Sequence, residues 1–102
     1  MRRGELWLAE VARKKRPVLV LTRSEVIDVR ALVTVAEVTT SIRGLASEVD
    51  MDHLQAGLDR PSVINCDGIH TLTQRSLTRR VGRVSEEVMG RVCTAVGYAL
   101  GC

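Results

Sequence analysis

The chain has almost no aromatic residues. It has no phenylalanine, one tryptophan (Trp7) and one tyrosine (Tyr98), so its core has to be filled by Val, Leu, Ala, Ile and Met. A row of stacking rings, the usual device for holding single strands, is not available to it. The three cysteines, Cys66, Cys93 and Cys102, are odd in number and lack paired spacing, so neither a disulfide framework nor a zinc site is indicated. They read as reduced thiols, two of them buried. No apolar run approaches the roughly 18 to 20 residues that cross a bilayer. Met1-Arg2-Arg3-Gly4 leads straight into an amphipathic segment rather than a signal-peptide core, so no membrane partner and a cytoplasmic location are expected.

At 102 residues the chain is expected to be a single domain spanning 1–102 with one core. Apolar residues make up 45% and charged residues 26%, the balance of a globular protein rather than a disordered one. The net charge of +3 is too small to name a partner by itself, but its distribution is informative. Arg13-Lys14-Lys15-Arg16 is a block of four cations, Arg2-Arg3 and Arg79-Arg80 are pairs, and Arg43 stands between two apolar runs. Taken singly, each is a solvated face. Converging on one side, they would form a groove for a polyanion.

Leu6 to Val11 is rich in strand formers, and a basic loop, Ala12 to Lys15, precedes Arg16-Pro17. Val18-Leu19-Val20-Leu21-Thr22 reads as a strand buried on both faces, with Pro17 at its first position. Arg23 to Asp28 is a loop or single turn, Ala31 to Val38 a further strand, and Thr39 to Leu45 a loop broken at Gly44. Ser47 to Met51 alternates like a half-wet strand. Ser62 to Cys66 reads as a strand ending at the turn signal Asp67-Gly68. Thr71 to Leu77 suggests a short helical turn and Arg80 to Val84 a last strand. Ser85 is a good N-cap, Glu86 and Glu87 suit a first turn, and Val88, Val92, Val96 and Leu100 form one apolar stripe before Gly101. The order predicts an α+β domain built on a strongly curved, mostly antiparallel sheet with a C-terminal helix.

Four segments in this order resemble the MazF/PemK toxin endoribonucleases: Arg3-Gly4-Glu5-Leu6-Trp7-Leu8, Arg16-Pro17-Val18-Leu19-Val20-Leu21, Val38-Thr39-Thr40 with Arg43-Gly44, and Asn65-Cys66-Asp67 through Ile69-His70-Thr71-Leu72. Each motif is weak alone, and their joint order carries the resemblance. It implies an SH3-like, CcdB/PemK-type small barrel, a homodimer whose shared face carries an RNA groove, and a MazE-like antitoxin whose acidic C-terminal tail fills that groove. It also implies cleavage of single-stranded RNA by the neighbouring 2′-hydroxyl, leaving a 2′,3′-cyclic phosphate and a 5′-hydroxyl.

Such a reaction needs a base for the 2′-proton, an acid for the leaving 5′-oxygen and a cation for the charge on the phosphoryl oxygens. It requires no metal or cofactor. Arg16 suits the third role, because guanidinium is planar, permanently charged and matched to phosphate. Thr39 offers a hydroxyl and an amide to orient a phosphate oxygen, although a turn hydroxyl also bonds local backbone. Asp67 is placed to orient Arg16 or accept a proton, and reads equally as a turn former. Lys14, Lys15, Thr40, Ser41, Arg43, Asn65 and His70 are the expected RNA contacts.

Two departures from the family pattern leave the base unassigned. The first loop lacks the acidic residue often found there, and Asn65 stands where PemK-type members carry an arginine. His70 is the nearest residue that titrates close to neutrality, and His53 is expected in a solvent-exposed turn. Two alternatives use the same fold. One is a CcdB-like gyrase poison acting through the helix end Leu100-Gly101-Cys102. The other is a non-catalytic RNA-binding barrel.

Overall fold

The computed structural model describes residues 1–11 and 13–102. Six strands form one sheet: β1 (Glu5–Val11), β2 (Lys14–Val20), β3 (Leu32–Thr39), β4 (Glu48–Asp50), β5 (Val63–Thr73) and β6 (Leu77–Arg83). A short helix α1 (Ser24–Ile27) follows β2, and a long helix α2 (Glu86–Leu100) closes the chain. Every strand pair is antiparallel, in the order β4-β5-β3-β2-β1-β6. The sheet curves but does not close, because no ladder joins the edge strands β4 and β6 among the described residues. Instead, the turn after β4 lies across β6. Gly57 and Gly82 meet there so closely that a Cβ on Gly82 would collide with the Ala56 carbonyl. Only residues without side chains allow that approach.

The buried run Val18-Leu19-Val20 sends alternate side chains to the two faces of the sheet. Leu19 joins a core with Leu6, Ala36, Val38, Ile64 and Cys66 beneath Val88, Met89, Val92 and Ala95 of α2. Val18 and Val20 join a second core with Ala9, Ile27, Val33, Val35 and Leu77. α2 begins as its sequence dictates. Ser85 is extended and its hydroxyl accepts from the Val88 amide, while Gly101 ends the helix in the left-handed region at φ 76°. The apolar stripe is only partly used, since Leu100 is 65% exposed.

Several sequence expectations are corrected. β2 starts at Lys14 rather than at Pro17, so Lys14, Lys15 and Arg16 are strand residues opposite Val11, Glu10 and Ala9. Of the expected loop, Ala12 lies outside the described residues, and Arg13 has a φ of 67°, the left-handed geometry of tight hairpins. Pro17 is tolerated inside the strand because the β2–β3 ladder runs only from Val18 to Val20, so no partner on that side needs its missing N–H. Asp67-Gly68 does not end a strand, and β5 continues to Thr73. The helical turn is a 3-10 segment confined to Gln74–Ser76. The last strand begins at Leu77, ahead of the expected Arg80. Only Cys66 of the three thiols is buried, and His53 is half-buried rather than exposed.

Candidate active site

Where β3 and β5 pair, Ala36 faces Ile69 and Glu37 faces Asn65, so Cys66, Asp67 and Gly68 have no partner in the register and bulge out of β5. The bulge is pinned by the Ser47 hydroxyl donating to the Asp67 carboxylate, by the Asp67 amide donating to Asn65 Oδ1 at 3.0 Å, and by the Cys66 amide donating to the Ser47 carbonyl at 2.9 Å. Gly68 leaves the space that Glu37 fills. A Cβ on residue 68 would lie 2.5 Å from Glu37 Oε2 and 3.1 Å from Asn65 Nδ2.

Glu37 is the residue of this cluster that the sequence does not single out. Alternation along β3 puts it on the face of Val33 and Val35, one step past the end of the second core. There its carboxylate bridges two strands. Oε1 accepts from Arg16 Nη1 at 2.6 Å, and Oε2 contacts His70 Nε2 at 2.9 Å. The side chains of Arg16, Glu37 and His70 are 32%, 19% and 34% exposed, so the carboxylate is the most covered of the three. Arg16 Nε is buried without a partner. The only signal available in sequence was an acid at the place in an apolar strand where the alternation calls for an inward-facing residue.

Arg16 and Thr39 meet in one cavity of about 240 Å³, lined also by Lys14, Lys15, Thr40 and Ser62. The Thr39 hydroxyl accepts from the Ser41 amide at 3.0 Å, which is the local turn bond weighed above, and its own hydrogen remains free to donate. Thr40, Ser41 and Arg43 are exposed on the loop beyond β3. That loop is held by Glu48, whose Oε1 accepts from the amides of Arg43, Gly44 and Leu45 at 3.0, 2.9 and 3.3 Å. The structure therefore gathers Arg16, Thr39, Thr40, Lys14 and Lys15 around one cavity, brings His70 to Arg16 through Glu37, and places Asn65 and Asp67 in the adjoining bulge. It does not give Arg16 to Asp67, whose carboxylate is engaged by Ser47. Nor do all the cations converge. Arg80 pairs with Glu5, and Arg3 reaches the Leu21 carbonyl and the Cys93 thiol near α2. Among the described residues no three His, Cys, Asp or Glu side chains are grouped to hold a metal ion. Nor, among the described residues, is any helix long and apolar enough to cross a membrane.

The sequence profile of the PemK-like, MazF-like toxins of type II toxin-antitoxin systems matches residues 2–100. The chain belongs to that family. A relative from Mycobacterium tuberculosis, the probable endoribonuclease MazF2, is 39% identical over 102 residues, with both chains covered in full. The solved structure of the Mycobacterium tuberculosis toxin MazF-mt6 superimposes with a TM-score of 0.89 at 37% identity, covering 95% of this chain and 96% of that one. A mycobacterial endoribonuclease in complex with its cognate antitoxin gives a TM-score of 0.89 at 26% identity, covering 99% and 95%. As in these MazF structures, the CcdB/PemK-like fold of the chain is a six-stranded antiparallel sheet with a C-terminal helix.

Proposed function

We infer that this MazF-family toxin is an endoribonuclease that cuts single-stranded RNA without a metal, by attack of the 2′-hydroxyl on the adjacent phosphate. The observation that carries the reading is the shared cavity of Arg16 and Thr39 at the mouth of β2 and β3. Arg16 Nη1 is fixed on Glu37 and Nε is buried, which leaves Nη2 of a permanently charged guanidinium for a phosphate oxygen. The charge growing on that oxygen as the 2′-oxygen attacks is stabilised by a donor that needs no reorganisation. Thr39 donates its hydroxyl hydrogen to a second phosphate oxygen. Lys14 and Lys15, exposed beside the cavity, hold neighbouring phosphates together with Arg43. Asn65, Thr40 and Ser41 supply hydrogen bonds for bases, in keeping with the shortage of rings.

The partners follow from the family and from charge. The relative solved with its cognate antitoxin supports an antitoxin for this chain, and an acidic tail of that partner complements the cation-lined cavity. A homodimer accounts for the uncovered apolar end of α2, where Val96 and Leu100 line a groove of about 580 Å³ with Leu21, Val26 and Ile69. The site of action is the cytoplasm.

Incubating the purified protein with a mixed-sequence RNA in excess EDTA tests the reading. Fragments with 2′,3′-cyclic phosphate and 5′-hydroxyl ends are expected. Binding without cleavage would leave only an RNA-binding barrel, and neither binding nor cleavage would favour a gyrase-poisoning role.

A further inference from the structure

We propose that His70 is the general base of the cleavage and that Glu37 is the residue that positions it, a proposal that rests on the RNA-cleaving reading above. An ionised carboxylate only accepts hydrogen bonds, so the 2.9 Å contact of Glu37 Oε2 requires the hydrogen to sit on His70 Nε2. In the neutral imidazole the lone pair is then on Nδ1, held in one tautomer and one ring orientation, as in other carboxylate–histidine pairs that move protons. Nδ1 has no hydrogen-bond partner among the described residues, and the side chain is 34% exposed beside Glu37 and Arg16. Histidine is also the side chain whose ordinary titration falls between about pH 5 and 8, which suits a base working near neutrality.

The other carboxylate oxygen of Glu37 holds Arg16. One covered side chain therefore fixes both the phosphate-clamping cation and the base, on neighbouring positions of the same face. That adjacency is what the reaction needs, because the attacking hydroxyl is next to the phosphate it attacks. Of the other nearby carboxylates, Asp67 has Oδ2 engaged by Ser47 and Glu48 has Oε1 engaged by three amides, while Glu37 uses both of its own oxygens. In the step itself, His70 Nδ1 takes the 2′-proton, the 2′-oxygen bonds to phosphorus, and the bond from phosphorus to the 5′-oxygen breaks. The 5′-oxygen takes a proton from water, and the imidazolium returns its own to solvent.

The charged groups that face His70 are Glu37 from β3 and, through it, Arg16 from β2. Asp67, three residues earlier on β5, is turned to Ser47. The test compares wild type, His70→Gln, His70→Ala, Glu37→Gln and Arg16→Ala on a mixed-sequence RNA in EDTA, with circular dichroism to confirm folding. His70→Ala is expected to lower kcat/KM about 100-fold or more, and added imidazole to restore part of the loss. Arg16→Ala is expected to gain nothing from imidazole. Wild type should show an acid limb of unit slope that both His70 variants lack. Glu37→Gln should lower kcat about tenfold or more while changing KM less. Undiminished activity in His70→Ala, an acid limb that survives in His70→Gln, or no rescue by imidazole would overturn the assignment while the RNA-cleaving reading stands. A wild type that cuts no RNA in EDTA would overturn both.

Discussion

Two carboxylates in this molecule are bound in nearly the same way, and only one of them stands in a site. Glu5 at the start of β1 accepts from the Trp7 indole at 3.2 Å and from Arg80 Nε at 2.8 Å. Glu37 on β3 bridges the His70 ring and Arg16. Each is an acid between a ring nitrogen and a guanidinium, Glu5 with the ring on its own strand and Glu37 with its partners on the two strands beside it. The difference lies in the ring and in the surroundings. Indole has one nitrogen, a donor with nothing to exchange, whereas imidazole has a second nitrogen whose lone pair is left over once the first is bonded. Arg80 lies at the edge of the sheet with its side chain 49% exposed, while Arg16 shares a cavity with a threonine hydroxyl and two lysines. A hydrogen-bond pattern therefore does not identify a site. Unused donors and a free lone pair beside an opening do.

The sharpest break of the comparison exchanges the arginines. Arg16→Ala is expected to lower the rate of RNA cleavage by at least about 100-fold, the scale of losing one transition-state donor, while Arg80→Ala leaves the cleavage rate within about twofold. Single-turnover assays on the same RNA check both, and equal losses would erase the distinction. Thr39→Ala should cost less than Arg16→Ala, about tenfold, because the Thr39 amide remains when the hydroxyl is gone. Its size is read from the same assay.

The thiols sharpen a second contrast. Burial pushes the Cys66 thiol up to about 11, helped by the nearby Asp67 and Cys93 charges, and the side chain is fully covered. Timed alkylation of the folded protein at neutral pH should therefore modify Cys66 only on unfolding. Mass spectrometry of the peptides decides this.

The smallest effect concerns Glu5. Burial would raise its carboxyl, but bonds from the Trp7 indole, the Arg2 amide and Arg80, with the Arg80 charge, outweigh it and hold the group below its ordinary value of 4.5. The folded form thus binds that proton less readily than the unfolded chain. The resulting stability is fully present above about pH 4.5 and is lost as the pH falls through the lowered folded value. Melting temperatures of wild type and Glu5→Gln should converge as the pH drops from 6 to 3, and parallel curves would show that Glu5 contributes nothing there.

Much of the fold was legible in the residues. Val18-Leu19-Val20 announced a strand covered on both sides, because three consecutive apolar β-formers cannot have a wet face. Ser85, Glu86, Glu87 and Gly101 marked the ends of α2, because caps act within one turn. Arg16 and Thr39 were legible as candidate-site residues because each sits in a motif of local sequence, and they line one cavity. Glu37 was not. An acid inside an apolar strand makes sense only once its partners are known, and those are 21 and 33 residues away. Of the readings left open for Asp67, orienting Arg16 is the one its contacts do not support, and nothing local reveals that Ser47 donates to it. The order of apolar runs, caps and short motifs determined the elements, the family and the two ends of the cavity, all of which depend on near neighbours. The tertiary structure alone decided which carboxylate holds the arginine and the histidine, because a three-residue bulge in β5 and a glycine without a side chain set that meeting, and both are consequences of pairing between distant strands.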